Sequence, residues 1–178
     1  VDDLGWHEEI DPRYGQTLVK QQGLEMSHAS KVPGFKQSNA EMRIPTKSKG
    51  ETPINNKLSK HDHTLFRGGA GMAQYMQDRR GDISFATKEV LRKASAPTGA
   101  DDQNLKKIAR YIKGVPRCIL DFPWSPLPEF LDVYVDSDWS GEDDTRKSTS
   151  GGAACLGVEL KHWCATQSTV SLSSAEAE

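Results

Sequence analysis

The apolar residues of this chain follow one period up to about residue 113 and another from residue 130, and that switch limits the fold more than any other feature. In "DDQNLKKIARYIKG", Leu105, Ile108, Ala109 and Ile112 fall at i, i+3, i+4 and i+7, the spacing of one helical face. In "FLDVYVD", Leu131, Val133 and Val135 alternate with Asp132, Tyr134 and Asp136, the spacing of a strand. Between them lies "CILDFPWSPLPE", residues 118–129, whose three prolines read as a connector. A helical part is therefore followed by a sheet part.

The helical part has further members. "DPRYGQTLVKQQGLE" offers Asp11 as N-cap, Pro12 at the first helical position and Gly23 as a stop. "TLFRGGAGMAQYMQD" carries three glycines, each costing about 1 kcal/mol against alanine, so it forms only if small residues permit close packing. "GDISFATKEVLRKAS" starts with Asp82 as cap and ends before Pro97. The helix carrying Leu105 has acids leading and bases trailing, with Gly114 at the C′ position. Residues 28–63 hold no apolar periodicity and are expected to be a disordered linker, with "HDH" at His61 and His63 a polar loop ahead of a helix rather than a metal site. The domains expected are 1–27, a short helical remnant; 28–63, the linker; 64–117, a helical connector; 118–129, the proline-rich linker; and 130–178, the sheet part.

In the sheet part, "STSGGAACLGV" is a second strand, "ELKHWCATQ" a third, with a turn near Gly157. "STVSLSSAEAE" then enters a helix, with Ser173 or Ser174 as cap and Glu176 at capping-box spacing from Ser173. Three strands alone leave an unpaired edge and an uncovered face, so weak folding is expected. The chain opens on Val1 and closes inside that helix start, which reads as a fragment of a longer coding sequence.

Hydrophobic residues make up 35% of the 178, and the formal charge of −2 argues neither for nor against a nucleic-acid partner. Apolar runs fall far short of the ~20 residues of a membrane span, and no secretory signal is visible. Three cysteines, Cys118, Cys155 and Cys164, at irregular spacings point to reduced thiols, no disulfide partner and an intracellular protein that is not secreted. Lys106, Lys107, Arg110 and Lys113 fit either a nucleic-acid contact face or a solvated face that complements the helix dipole.

The acids pose the chemical question. Residues two apart in a strand lie roughly 7 Å apart on one side, so Asp136 and Asp138 both face one point if the strand stays regular. Carboxylates suit Mg²⁺, but "DSDWSGEDD" equally reads as a solvent-exposed turn. On a helix, Glu176 and Glu178 lie about 200° apart and cannot both face the sheet.

"VDSDWSGEDDTRKSTSGG" followed by "LKHWCATQSTVSLSSAEAE" resembles the start of the RNase H domain in Copia-type LTR retrotransposon Pol polyproteins, over about residues 131–178 and in order. Upstream, "LFRGGAGMAQYM", "RRGDISFATKEVLRKASAPT" and "LKKIARYIKGVP" resemble that family's segment between reverse transcriptase and RNase H, with Gly81 where the family has proline. "VDDL" at residues 1–4 is not matched to the polymerase hairpin, because "DPRYGQTLVKQQGLE" follows too soon for the intervening palm sequence.

The resemblance implies an α/β, truncated RNase H-like fold: a three-stranded antiparallel meander plus the start of a helix, preceded by a helical connector. It implies hydrolysis of the RNA strand of RNA–DNA hybrids in the complete protein, with two Mg²⁺ or Mn²⁺ ions held by four acids. Asp136 matches the first and Glu176 the second; the other two would lie beyond residue 178, and Asp138 is not among the four. Expected partners are the hybrid and the remainder of the Pol polyprotein, with no membrane, and the expected location is a cytoplasmic virus-like particle or the nucleus. The fragment alone is expected to be inactive. The alternative is a non-catalytic retrotransposon remnant, at most a weak nucleic-acid-binding module.

Overall fold

The computed structural model describes residues 1–34, 56–141 and 145–177. Most of the linker expected over 28–63 therefore lies outside the described residues. The chain is mixed α/β and divides into two units: one of Val1–Glu8 with Asp121–Glu178, the other of Glu9–Leu120.

The second unit is helical. α1 (Pro12–Gln21) begins where the sequence predicts: the Asp11 carboxylate accepts the Arg13 amide and pairs with its guanidinium, and Gly23 ends the run at φ +64°. α2 (Lys60–Gln77) starts four residues earlier than expected, because Ser59 Oγ accepts the Asp62 amide at 3.1 Å and caps it. His61 and His63 thus occupy the first helical turn rather than a loop, and His63 Nε2 bonds to the Ala94 carbonyl oxygen at 2.9 Å. Gly69 of α2 is a close-approach position. A Cβ there would stand 2.9 Å from Leu105 and 3.2 Å from Leu18, so the bare backbone is what admits both neighbours.

α3 (Ser84–Arg92) follows a single 3₁₀ turn, Gly81–Ile83. Asp82 does not cap it. The carboxylate instead binds Arg80 through Nε at 3.0 Å and Nη2 at 2.8 Å, while Arg80 Nη1 donates to the Val115 carbonyl at 3.0 Å. Arg80 is only 2% exposed, and a buried guanidinium without its carboxylate costs more than a missing cap. α4 (Gly99–Gly114) carries a capping box between Thr98 and Asp101, and Leu105, Ile108, Ala109 and Ile112 form its buried face as the spacing predicts. Gly114 is the last helical residue, not a left-handed C′ glycine. Its role is spatial, since a Cβ would lie 2.9 Å from that of Ala29.

Two short strands were not legible. β1 (Gly5–Glu9) pairs with β2 (Ile119–Pro123), which occupies the expected proline-rich connector. His7 helps close this pair: Nδ1 meets Asp121 at 2.6 Å and Nε2 meets Asp2 at 3.0 Å.

The sheet of the first unit has β3 (Asp132–Ser137), β4 (Thr149–Leu156) and β5 (Val158–Thr166) antiparallel in the order β3-β4-β5, with Gly157 at φ +76° in the predicted turn. One-turn α5 (Ser174–Ala177) follows. The alternating face that reads as core is not buried: Val133 is 55% and Val135 71% exposed, because nothing among the described residues packs over it. No helix among the described residues is long and apolar enough to cross a membrane, and the three cysteines are free thiols.

Two predictions follow from these ties. Burial raises the Asp82 carboxyl pKa, but the bonds and charge of Arg80 outweigh it and leave the carboxyl below its ordinary 3.8. Its stabilising contribution is thus present above 3.8 and lost as pH falls through the lower folded value. Asp82→Ala should destabilise the helical unit by about 3 kcal/mol in urea unfolding followed by circular dichroism. The hydrogen bonds of Asp121, then Asp2, hold His7 above its ordinary 6.5. That clasp is complete below 6.5 and lost as pH rises through the raised value, so amide protection in β1 and β2 should fall over that window in wild type and be flat in His7→Gln.

Candidate functional site

Asp136 is the penultimate residue of β3, opposite Gly151 of β4, and its Oδ1 accepts the Ser137 amide at 2.9 Å. The next register pair is Ser137 with Ser150. Small residues are needed on β4 for a packing reason: a Cβ at Gly152 would run into the Trp163 ring of β5. That accounts for the second glycine of "SGG".

Asp138 has a different task from Asp136. Its amide donates to the Thr149 carbonyl at 3.0 Å, and its Oδ1 accepts the Thr149 amide at 2.6 Å. It therefore ties the start of β4 to the turn after β3. Ser140, at φ +53°, continues the tie by donating its amide to the buried Ser148 hydroxyl at 3.1 Å. Of the two readings open for these acids, the turn reading describes Asp138.

α5 is capped by its own motif. The Glu176 amide donates to Ser173 Oγ at 3.3 Å, and Glu176 Oε2 accepts the Leu172 amide at 2.6 Å. The helix is also bound to the sheet end near Asp136. Gln167 Nε2 donates to Ser150 Oγ at 2.9 Å and to the Ala177 carbonyl at 2.6 Å, while its Oε1 accepts from Ser171 Oγ at 3.1 Å. The Trp139 indole donates to the Ser171 carbonyl at 3.2 Å. Asp136 and Glu176 have no direct bond to each other, but the elements that carry them are tied at one end of the sheet. Among the described residues, no group of three or more His, Cys, Asp or Glu could hold a metal. The sequence places Gln167 at the end of the third strand and Trp139 in the aspartate-rich motif but shows no tie through either, because periodicity does not report what a side chain beyond the strand end bonds to.

The basic residues of α4 are half-buried rather than an open strip. Lys113 Nζ donates to the carbonyls of Glu25 and Ser27, each at 2.6 Å, and so closes the segment after α1 onto the end of α4. Lys106 pairs with Asp102 one turn earlier at 2.8 Å, and the Arg110 carbonyl accepts the Ser30 amide at 3.1 Å. Lys107 also lies on this helix, half-buried.

Over 120 residues, 66% of the chain, the sequence is 39% identical to an uncharacterized mitochondrial protein of Arabidopsis thaliana, of which the match covers 49%. Over 118 residues it is 36% identical to the retrovirus-related Pol polyprotein from transposon RE1 and 34% identical to that from transposon RE2, both of Arabidopsis thaliana. Each of those matches takes in 66% of this chain but only 8% of the polyprotein. The chain thus spans about half the length of the mitochondrial relative and a small part of the polyproteins. No family model and no solved structure matches it.

The Asp138 tie makes a local prediction. Asp138→Ala removes a charged acceptor from the Thr149 amide, a bond worth on the order of 1–2 kcal/mol at a partly exposed site. Hydrogen exchange at Thr149 should quicken by about tenfold, while amides in the middle of β4 and β5 keep their protection.

Proposed function

Because the chain belongs to the family of retrovirus-related Pol polyproteins of transposons, as its motifs implied, we propose that it is the Pol segment joining the reverse transcriptase to an RNase H-like domain and opening that domain. In the complete polyprotein this domain would hydrolyse the RNA strand of RNA–DNA hybrids. The observation that carries the reading is the succession of three antiparallel strands and then α5, with Asp136 at the end of the first strand and Glu176 in the helix tied to that end.

The donor set fits the implied metal. Two carboxylates offer hard oxygen ligands to Mg²⁺ or Mn²⁺, and the further ligands would come from outside the described residues or from the phosphodiester. A bound ion pair would supply an activated water and stabilise the leaving oxygen. The chain's own contribution is to hold the two carboxylates at one end of the sheet, with Asp138 closing the adjacent turn. Lys107 and Arg110 would add a phosphate-directed charge on α4, whereas Lys113 is bound to carbonyl groups of its own unit and Lys106 to Asp102.

The second reading, a non-catalytic remnant, draws on one observation: Glu176 Oε2 accepts the Leu172 amide, which is enough to explain the residue as a cap. The complete polyprotein decides between them. With a labelled RNA–DNA hybrid and Mg²⁺ or Mn²⁺, Asp136→Asn and Glu176→Gln should each lower cleavage by more than the 10–100-fold typical of losing an outer-shell partner, while Asp138→Asn stays within about tenfold of wild type. No cleavage by the wild-type polyprotein would favour the remnant, and wild-type cleavage by Asp136→Asn and Glu176→Gln would overturn the assignment of these two acids.

A further inference from the structure

Gln167 connects, through one side-chain amide, the residue after Glu176 with the cross-strand partner of the residue after Asp136. Ser150 is the register partner of Ser137, which follows Asp136, and Ala177 follows Glu176. The amide orientation is decided chemically. A backbone carbonyl can only accept, so the NH₂ group must face Ala177, which leaves the amide oxygen for the Ser171 hydroxyl. Both Ser171 and Ala177 are 6% exposed, so these bonds are shielded from competing water. The Gln167 backbone N–H also donates to the carbonyl of buried Ser148 at 2.8 Å, which fixes where the side chain starts.

We propose that Gln167 is a positioning residue for the candidate metal site: it holds the strand end of Asp136 and the helix of Glu176 in one arrangement. This rests on the functional reading above and deepens it. Gln167 itself contributes no ligand. Leucine at 167 keeps the volume and loses all three side-chain bonds. Glutamate keeps an acceptor for the Ser171 and Ser150 hydroxyls but has no donor for the Ala177 carbonyl, so it should release α5 as leucine does. Trp139 gives an internal reporter, because its indole N–H is bonded to Ser171 inside the segment that would be released.

The test uses the 178-residue chain, ¹⁵N-labelled, as wild type, Gln167→Leu and Gln167→Glu. The first arm needs no metal. In both variants, residues 171–177 should gain fast backbone motion and the Trp139 indole signal should shift to that of a free N–H, while β4 and β5 keep their protection. An unchanged segment, or loss of order through the whole sheet, overturns the proposal. The second arm titrates Mn²⁺. In wild type, paramagnetic broadening should reach residues 135–137 and 175–177 together. In the variants, residues 175–177 should stay sharp and the affinity should fall about tenfold, because the two carboxylates would no longer be held together. Joint broadening at the wild-type concentration in Gln167→Leu overturns the proposal. If wild type shows no joint broadening while the first arm succeeds, the positioning role is overturned and Gln167 is left as a tie between the two elements alone, the metal reading being decided by the cleavage assay on the complete polyprotein.

Discussion

The helical unit turns on a guanidinium that has been taken out of water. Arg80 is almost wholly buried, and its charge is tolerable there only because Asp82 takes two of its nitrogens and the Val115 carbonyl a third. The face of Tyr111 lies 6.0 Å from the guanidinium carbon and adds a further favourable contact. Because Arg80 precedes α3 and Val115 follows α4, one side chain sets the relation between the start of one helix and the end of another. The cost is local. Asp82 is no longer available as a cap, and α3 begins from a 3₁₀ turn with no side-chain cap at all.

The same economy governs the sheet end. Its strands are held by few apolar contacts, since Val133 and Val135 face solvent. Order there comes from polar side chains bonded to backbone: Asp138 to Thr149, Ser148 to Ser140, Gln167 to Ala177 and Trp139 to Ser171. Within the motif, Asp138, Trp139, Ser140 and Ser148 therefore serve as ties between neighbouring segments. Among the described residues, the Asp136 carboxylate bonds only to the amide that follows it, whereas Asp138 reaches across to Thr149.

Charge on α4 shows a similar inward use. Lys113 reads as a basic surface residue but closes two carbonyls at the end of the α1 segment, and Lys106 answers Asp102. A basic stripe in sequence counts charges; it does not say which of them are already met by the chain.

By itself the sequence determined the periodic elements. The buried face of α4, the cap of α1, the three strands and the turn at Gly157 follow from spacings of 3.6 and 2 and from local backbone chemistry, which act over a few residues. The homology of the motifs to transposon Pol polyproteins was also legible, because a string of identities in order does not need coordinates. Only the tertiary structure decided what depends on partners far along the chain. Asp82 meets a buried arginine instead of a helix start, Gly114 admits Ala29 instead of turning the backbone, β2 forms inside a proline-rich run because β1 lies beside it, and Gln167 joins two elements that periodicity treats as separate. Each of these is a contact with a residue that local propensity cannot name, and the energy of burying or pairing a polar group there exceeds the local preference it overrides.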